Sequence, residues 1–191
     1  MGTLIEDGHL GGFVAGGDPL TFYPKLWAWM VKDLGVESVL DIGCGNGQAA
    51  AYFRDLGCSV LGLDGSEKAG TELSSNEFLL HDLVAGPCFC RGKYSSVWCC
   101  EVAEHVEERY VHNLLLTIVA NVRDVVFFSH ALPGQGGYHH VNCKPPEYWL
   151  AQFALFGCEI DEPTTNTARR LAHGYFSRTG IVFRRKFLHG G

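Results

Sequence analysis

Val39-Leu40-Asp41-Ile42-Gly43-Cys44-Gly45-Asn46-Gly47 is the stretch on which the reading of this chain turns. An apolar run that ends in an acid and then three glycines at alternate positions suits a buried strand bending sharply into a helix. Bare backbone at the bend lets a ligand press close. Seventeen residues after Gly47 a second apolar run, Leu61-Gly62-Leu63, ends in Asp64, where a carboxylate can accept both hydroxyls of a ribose. The fingerprint of dinucleotide sites places its third glycine three residues after the second, whereas Gly47 follows Gly45 by two. A nucleoside cofactor without a pyrophosphate is the expectation.

Around this bend the chain alternates short apolar runs with helical patterns: residues 38–42, 48–56, 60–63, 78–81, 96–100, 111–122 and 125–129. Such alternation predicts a parallel sheet with crossover helices. Ahead of it, Leu26, Trp27, Met30, Val31 and Leu34 suit an amphipathic helix that starts at Pro24 and is stopped by Gly35. Residues 1–24 read as an irregular N-terminal arm closing on the cofactor site, because Leu10, Phe13, Leu20, Phe22 and Tyr23 make it richer in apolar groups than a disordered tail. Beyond Gly134-Gln135-Gly136-Gly137, a helix is expected near Pro145-Pro146-Glu147 and ends at Gly157. Apolar strands follow at 158–160 and 181–187.

The 191 residues suit one domain spanning 1–191 with a single sizeable core. A formal charge of −6 argues against long duplex nucleic acid as a main partner. Arg169-Arg170 and Arg184-Arg185-Lys186 read as a solvated helix face and a strand end. The eight cysteines form no Cys-x-x-Cys pair and predict reduced side chains in a cytoplasmic protein. No apolar stretch approaches the ~20 residues of a membrane span.

The Asp-x-Gly-x-Gly-x-Gly loop and the acid of Leu61-Gly62-Leu63-Asp64 resemble motif I and the following acidic position of class I S-adenosylmethionine-dependent methyltransferases. His81-Asp82-Leu83, Val97-Trp98-Cys99-Cys100-Glu101 and Val125-Val126-Phe127-Phe128 fall where that family places its third, fourth and fifth strands. The resemblance implies a single α/β Rossmann-like domain with a seven-stranded sheet. The sheet would be mostly parallel, with an antiparallel last strand and helices on both faces. It also implies that Gly43, Gly45 and Gly47 face the methionine half of S-adenosylmethionine, that Asp64 holds the ribose and that Asp82 meets the adenine amino group. Their neighbours Asp41, Cys44, Asn46, Gly65, Leu83 and Glu101 complete the expected cofactor-binding set.

A second constellation, Glu101-Val102-Ala103-Glu104-His105, begins where strand four ends. If a helix opens here, Glu104 and His105 fall within reach of the side that Glu101 faces. Two carboxylates and an imidazole at a sheet's carboxyl edge suit a divalent ion, with Mg²⁺, Mn²⁺, Fe²⁺ and Zn²⁺ unranked. The Glu-x-x-Glu-His pattern is similar to the metal set of the ubiquinone-pathway O-methyltransferases and the small-RNA 2′-O-methyltransferases. That similarity implies Glu101, Glu104 and His105 as ligands, completed by His139 or His140, with His140 favoured. The blander reading makes Glu104 a helix cap, His105 a buried polar contact and the paired histidines plain surface loop.

His130, at the end of strand five, is expected to face the pocket. Together with His105, His139 and His140 it makes up the candidate catalytic histidines. His9, His112, His173 and His189 read as surface or core residues, and Trp149 and Phe153 as core. The expected reaction is methyl transfer to a hydroxyl of a small-molecule or glycan acceptor, with the ion assisting. The alternatives are a metal-free enzyme with a histidine base and a silent cofactor-binding regulator. With little material for a lid, the pocket stands open or is closed by a partner subunit, as in a homodimer.

Overall fold

The structure, a computed structural model, describes residues 3–185. Lys186, Phe187 and His189 therefore lie outside the described residues. The arm is more regular than its glycines suggest. Strands β1 (Leu4–Glu6) and β2 (Gly12–Val14) pair antiparallel as a hairpin, Ile5 opposite Phe13. A 3₁₀ turn at Pro19–Thr21 is capped by Asp18, whose side chain accepts from the Leu20 N–H at 2.9 Å.

Helix α1 (Pro24–Lys32) starts on proline, whose fixed φ suits the first turn, and ends before Gly35. Next come β3 (Ser38–Ile42), α2 (Gln48–Asp55), β4 (Ser59–Asp64), β5 (Phe78–Leu80) and β6 (Tyr94–Cys99). Then α3 (Val111–Asn121), β7 (Val122–Phe128), α4 (Pro146–Leu155) and β8 (Cys158–Ile160) follow, and α5 (Glu162–Leu171), α6 (Phe176–Thr179) and β9 (Ile181–Arg185) close the domain. α5 (EPTTNTARRL) is polar and carries no apolar periodicity that would mark it as a helix in the sequence.

The main sheet has seven strands in the order β5-β4-β3-β6-β7-β9-β8. β3 pairs parallel with β4 and β6, and β7 parallel with β6, while β9 runs antiparallel to both β7 and β8. The expected sheet is present, antiparallel last strand included. Alternation along each strand feeds two cores. Leu40, Ile42, Val97, Cys99, Val126 and Phe128 point to the side of α3 and α4. Val39, Trp98, Val125, Phe127 and Val182 point to the side of α1, α5 and α6, where Trp98 stacks on Phe176 with ring centroids 5.2 Å apart. A sheet buried on both faces leaves its strand ends as the place for a ligand, and the order reverses between β3 and β6.

Candidate functional site

At that reversal β3 gives way to the glycine bend. The Gly43 N–H donates to the Leu63 carbonyl at 2.7 Å, and the Gly45 carbonyl accepts from the Gly70 N–H at 2.7 Å, so the bend is tied to β4 and its following loop. Gly47 caps α2 with φ 90°, a left-handed conformation that side chains adopt at a cost. Asp64, at the tip of β4, accepts from the Gly45 N–H and the Ser66 N–H, both at 2.9 Å. Burial raises the Asp64 carboxyl above its ordinary value, and those backbone bonds pull it partly back. Deeper on β3, Asp41 accepts from the Ala50 N–H at 3.2 Å, and burial pushes its pKa up to about 7.

Two clefts meet over this bend. One, of about 840 Å³, reaches Asp64, Gly65, Asp82 and Leu83. The other, of about 1230 Å³, reaches Asp41, Cys44, Asn46, Glu104 and His140. Gly43, Gly45, Glu101 and His105 line both. The arrangement suits an elongated ligand with its nucleoside end by Asp64 and its reactive end by Glu101. Gly47, expected at the cofactor, lines neither cleft. A Cβ there would lie 2.6 Å from Leu73, so packing and φ explain the glycine.

The arm supplies a wall that motif reading missed. Asp7 is hydrogen-bonded to Ser66 and takes the Lys68 ammonium at 3.1 Å. His9 Nε2 lies 2.8 Å from Asp82 Oδ2, while the other Asp82 oxygen accepts from the Val84 N–H at 2.8 Å. Leu10 packs so tightly on Gly65 that a Cβ there would meet it at 2.5 Å, and Phe13 crowds Gly45. His9, which reads as a surface residue, thus engages an expected adenine contact. The two are 73 positions apart, and no local pattern links them.

Glu101 is not followed by a helix. Residues 101–107 are bends and turns, and Glu104 caps nothing. The loops after β6 and β7 are instead laced together, since the Val141 N–H and Asn142 N–H both donate to the Glu104 carbonyl, at 2.9 and 3.0 Å. That lacing brings Glu104, His105 and His140 together, with one ligand atom from each within 4.8 Å of the others. Glu104 is 1% exposed, and neither of its carboxylate oxygens has a partner; buried His105 Nδ1 also lacks one. Burial, then the charge of Glu101, raises the Glu104 carboxyl strongly.

Burial, then neighbouring His140, lowers His105 to about 4, leaving a neutral ring. Glu101 is raised by burial, and its Oε1 accepts from the Ser129 hydroxyl at 2.7 Å. Glu101 and His139 are the non-glycine residues with positive φ among the described residues, at 55° and 52°. Such strain concentrates at functional sites. A buried carboxylate with unbonded oxygens beside two imidazoles matches the donor set of a cation.

His139 stands outside this cluster, and its buried Nε2 has no partner. His130 departs from expectation. It is fully buried, lines neither cleft and packs on Phe128 and Trp149, with ring centroids 5.9 Å away in each case. Alternation along β7 explains this, because Val126, Phe128 and His130 share the α4 side. The other histidines include His112, against Phe156, and His173, whose Nε2 lies 2.9 Å from the Pro19 carbonyl. All eight cysteines are unpaired, and among the described residues no helix is long and apolar enough to cross a membrane.

Residues 20–161 match the family profile described as a methyltransferase domain. No curated protein sequence matches the chain. Among solved structures, a sugar N-methyltransferase from Streptoalloteichus superposes with a TM-score of 0.66 at 15% identity, covering 90% of each chain. A TehB-like SAM-dependent methyltransferase from Corynebacterium glutamicum gives 0.60 at 18% identity, again covering 90% of each. Magnesium protoporphyrin IX methyltransferase from Synechocystis, with bound SAH, gives 0.58 at 19% identity and covers 84% of this chain and 80% of its own.

Proposed function

The chain belongs to the methyltransferase-domain family and is a class I S-adenosylmethionine-dependent methyltransferase, and from that premise we propose that it methylates a hydroxyl of a small-molecule or glycan acceptor with help from a divalent cation. The observation that carries the oxygen-and-cation reading is Glu104, a buried carboxylate with both oxygens unbonded, next to His105 and His140. Glu104, His105 and His140 would hold the ion, and Glu101 stands beside them. When bound, the ion would lower the pKa of an acceptor hydroxyl.

The donor supplies a sulfonium methyl group, and the protein's part is alignment. Asp64 offers its carboxylate to the ribose, Asp82 and Leu83 line the adenine end, and Gly43 and Gly45 let the thread between the clefts pass close to backbone. Alignment of donor and acceptor is worth on the order of 7–11 kcal/mol for well-oriented reactants. Without the ion, the neutral ring of His105 is placed to receive the hydroxyl proton.

Metal content after dialysis against each divalent ion tests the cation. One equivalent is expected in the native protein, and none in Glu104→Ala and His105→Ala variants that still bind S-adenosylhomocysteine. A native protein that retains no ion, and methyl transfer that persists in chelator, would remove the cation from the account.

A further inference from the structure

Asn142 is 2% exposed, and its amide oxygen is buried without a partner. A buried acceptor in that state costs free energy unless a ligand satisfies it. The backbone sets this residue beside the cluster. Its N–H donates to the Glu104 carbonyl at 3.0 Å, its side-chain Nδ2 donates to the Ala103 carbonyl at 3.5 Å, and His140 stands two residues before it. The Ala103 carbonyl also fixes which way round the amide lies, because the reversed amide would set oxygen against oxygen. Where the two loops meet, four side-chain atoms therefore lack partners: both oxygens of Glu104, Oδ1 of Asn142 and Nδ1 of His105. Glu101, which the sequence pattern offers as a ligand, is engaged elsewhere. Its Oε1 accepts from the Ser129 hydroxyl at 2.7 Å, and it lies outside the group whose ligand atoms come within 4.8 Å of one another.

We propose, resting on the divalent-cation reading above, that Asn142 Oδ1 is a further ligand of the ion held by Glu104, His105 and His140, in the place that the sequence pattern gives to Glu101. A carbonyl oxygen of this kind is an ordinary partner for a hard divalent ion. It binds without giving up a proton and brings no negative charge, so the ion keeps more of its pull on an acceptor hydroxyl than it would beside a second carboxylate. Two imidazoles with two oxygens make a mixed donor set. Such a set suits an ion like Mn²⁺, whose octahedral shell leaves positions open for the acceptor. The lacing of the loops after β6 and β7 then has a purpose, since it carries His140 and Asn142 together to Glu104 and His105.

The test is titration calorimetry of metal-free protein with Mn²⁺ alone, with S-adenosylhomocysteine binding as the check that each variant is folded. Asn142→Ala is expected to bind Mn²⁺ about 10–100-fold more weakly than the native protein. Asn142→Asp keeps an oxygen for the ion but has no amide hydrogen for the Ala103 carbonyl, and it should bind Mn²⁺ at least as tightly as the native protein. A residue that merely propped the loop would behave otherwise, because loss of the amide hydrogen would then weaken the aspartate and alanine variants alike. An alanine variant within about threefold of the native protein, or an aspartate variant as weak as the alanine one, would overturn the proposal and leave the cation reading standing. A native protein that binds neither Mn²⁺ nor Zn²⁺ would refute the cation reading and the proposal with it. Where a variant loses S-adenosylhomocysteine as well, a crystal structure of the native protein with Mn²⁺ decides: Asn142 Oδ1 bonded to the ion upholds the proposal, and an ion on Glu104, His105 and His140 with Oδ1 turned away overturns it.

Discussion

Replacing Asp41 by asparagine should stabilise the protein, and by an amount that depends on pH. Asp41 is buried beneath the glycine bend with one hydrogen bond, from the Ala50 N–H, and burial is the main cause of its rise from 3.8 to about 7. The folded chain therefore keeps this proton up to about pH 7, whereas the unfolded chain gives it up near 3.8. Between those values the folded state binds more protons than the unfolded state, so stability falls as pH rises and levels off above the folded value.

At about 1.36 kcal/mol per pKa unit the complete loss is on the order of 4 kcal/mol, of which about 2–3 kcal/mol falls between pH 5 and pH 8. Asparagine keeps an acceptor for the Ala50 N–H and has no proton to lose. Urea unfolding of the two proteins at pH 5, 6, 7 and 8 should show the variant's advantage growing by about 2–3 kcal/mol and then flattening. An advantage that is constant with pH, or one that shrinks as pH rises, would refute the claim that Asp41 is held protonated by burial.

Other perturbations separate the roles assigned here. His139→Gly relieves a left-handed residue at φ 52° and should raise Tm by about 2–4 °C, as expected for about 1 kcal/mol in a domain of this size; a fall in Tm on a melting curve would contradict it. Asp64→Asn removes charge-assisted bonds to ribose and should weaken S-adenosylhomocysteine binding about 10–100-fold by calorimetry. His9→Ala breaks a half-exposed pair with Asp82, and its effect on the same titration should stay below about fivefold. A larger loss from His9→Ala than from Asp64→Asn would reverse the ranking of arm and strand-tip acid. His130→Phe, a change within the α4 core, should leave affinity for S-adenosylhomocysteine unchanged, and a tenfold loss would return His130 to the pocket.

The parts that the sequence made legible are those whose cause is local. The bend from β3 into α2 needs glycines at fixed positions, the strands bury both faces and so read as continuous apolar runs, and α4 carries its own proline start and glycine stop. What stayed hidden depends on residues far apart. The hairpin of the arm is fixed by pairing Ile5 with Phe13 and by docking on Ser66, Lys68 and Asp82, none of which a short window contains.

The segment after Glu101 has helix-forming residues yet turns, because its Glu104 carbonyl is claimed by the 141–142 backbone. His130 was misplaced for a different reason. Its distance from the strand end suggested the pocket, but counting by twos along β7 from Val126 would have put it with Trp149. Gly47 belongs to the motif through its φ and through Leu73 rather than by lining a cleft.

The most direct measurement of the central claim is a crystal structure of the protein with S-adenosylhomocysteine. The ribose hydroxyls are expected on Asp64, the adenine beside Asp82 and Leu83, and the sulfur near Glu101, with the arm retained over the nucleoside. A ligand bound elsewhere, or a ribose that leaves Asp64 bonded only to Gly45 and Ser66, would contradict it.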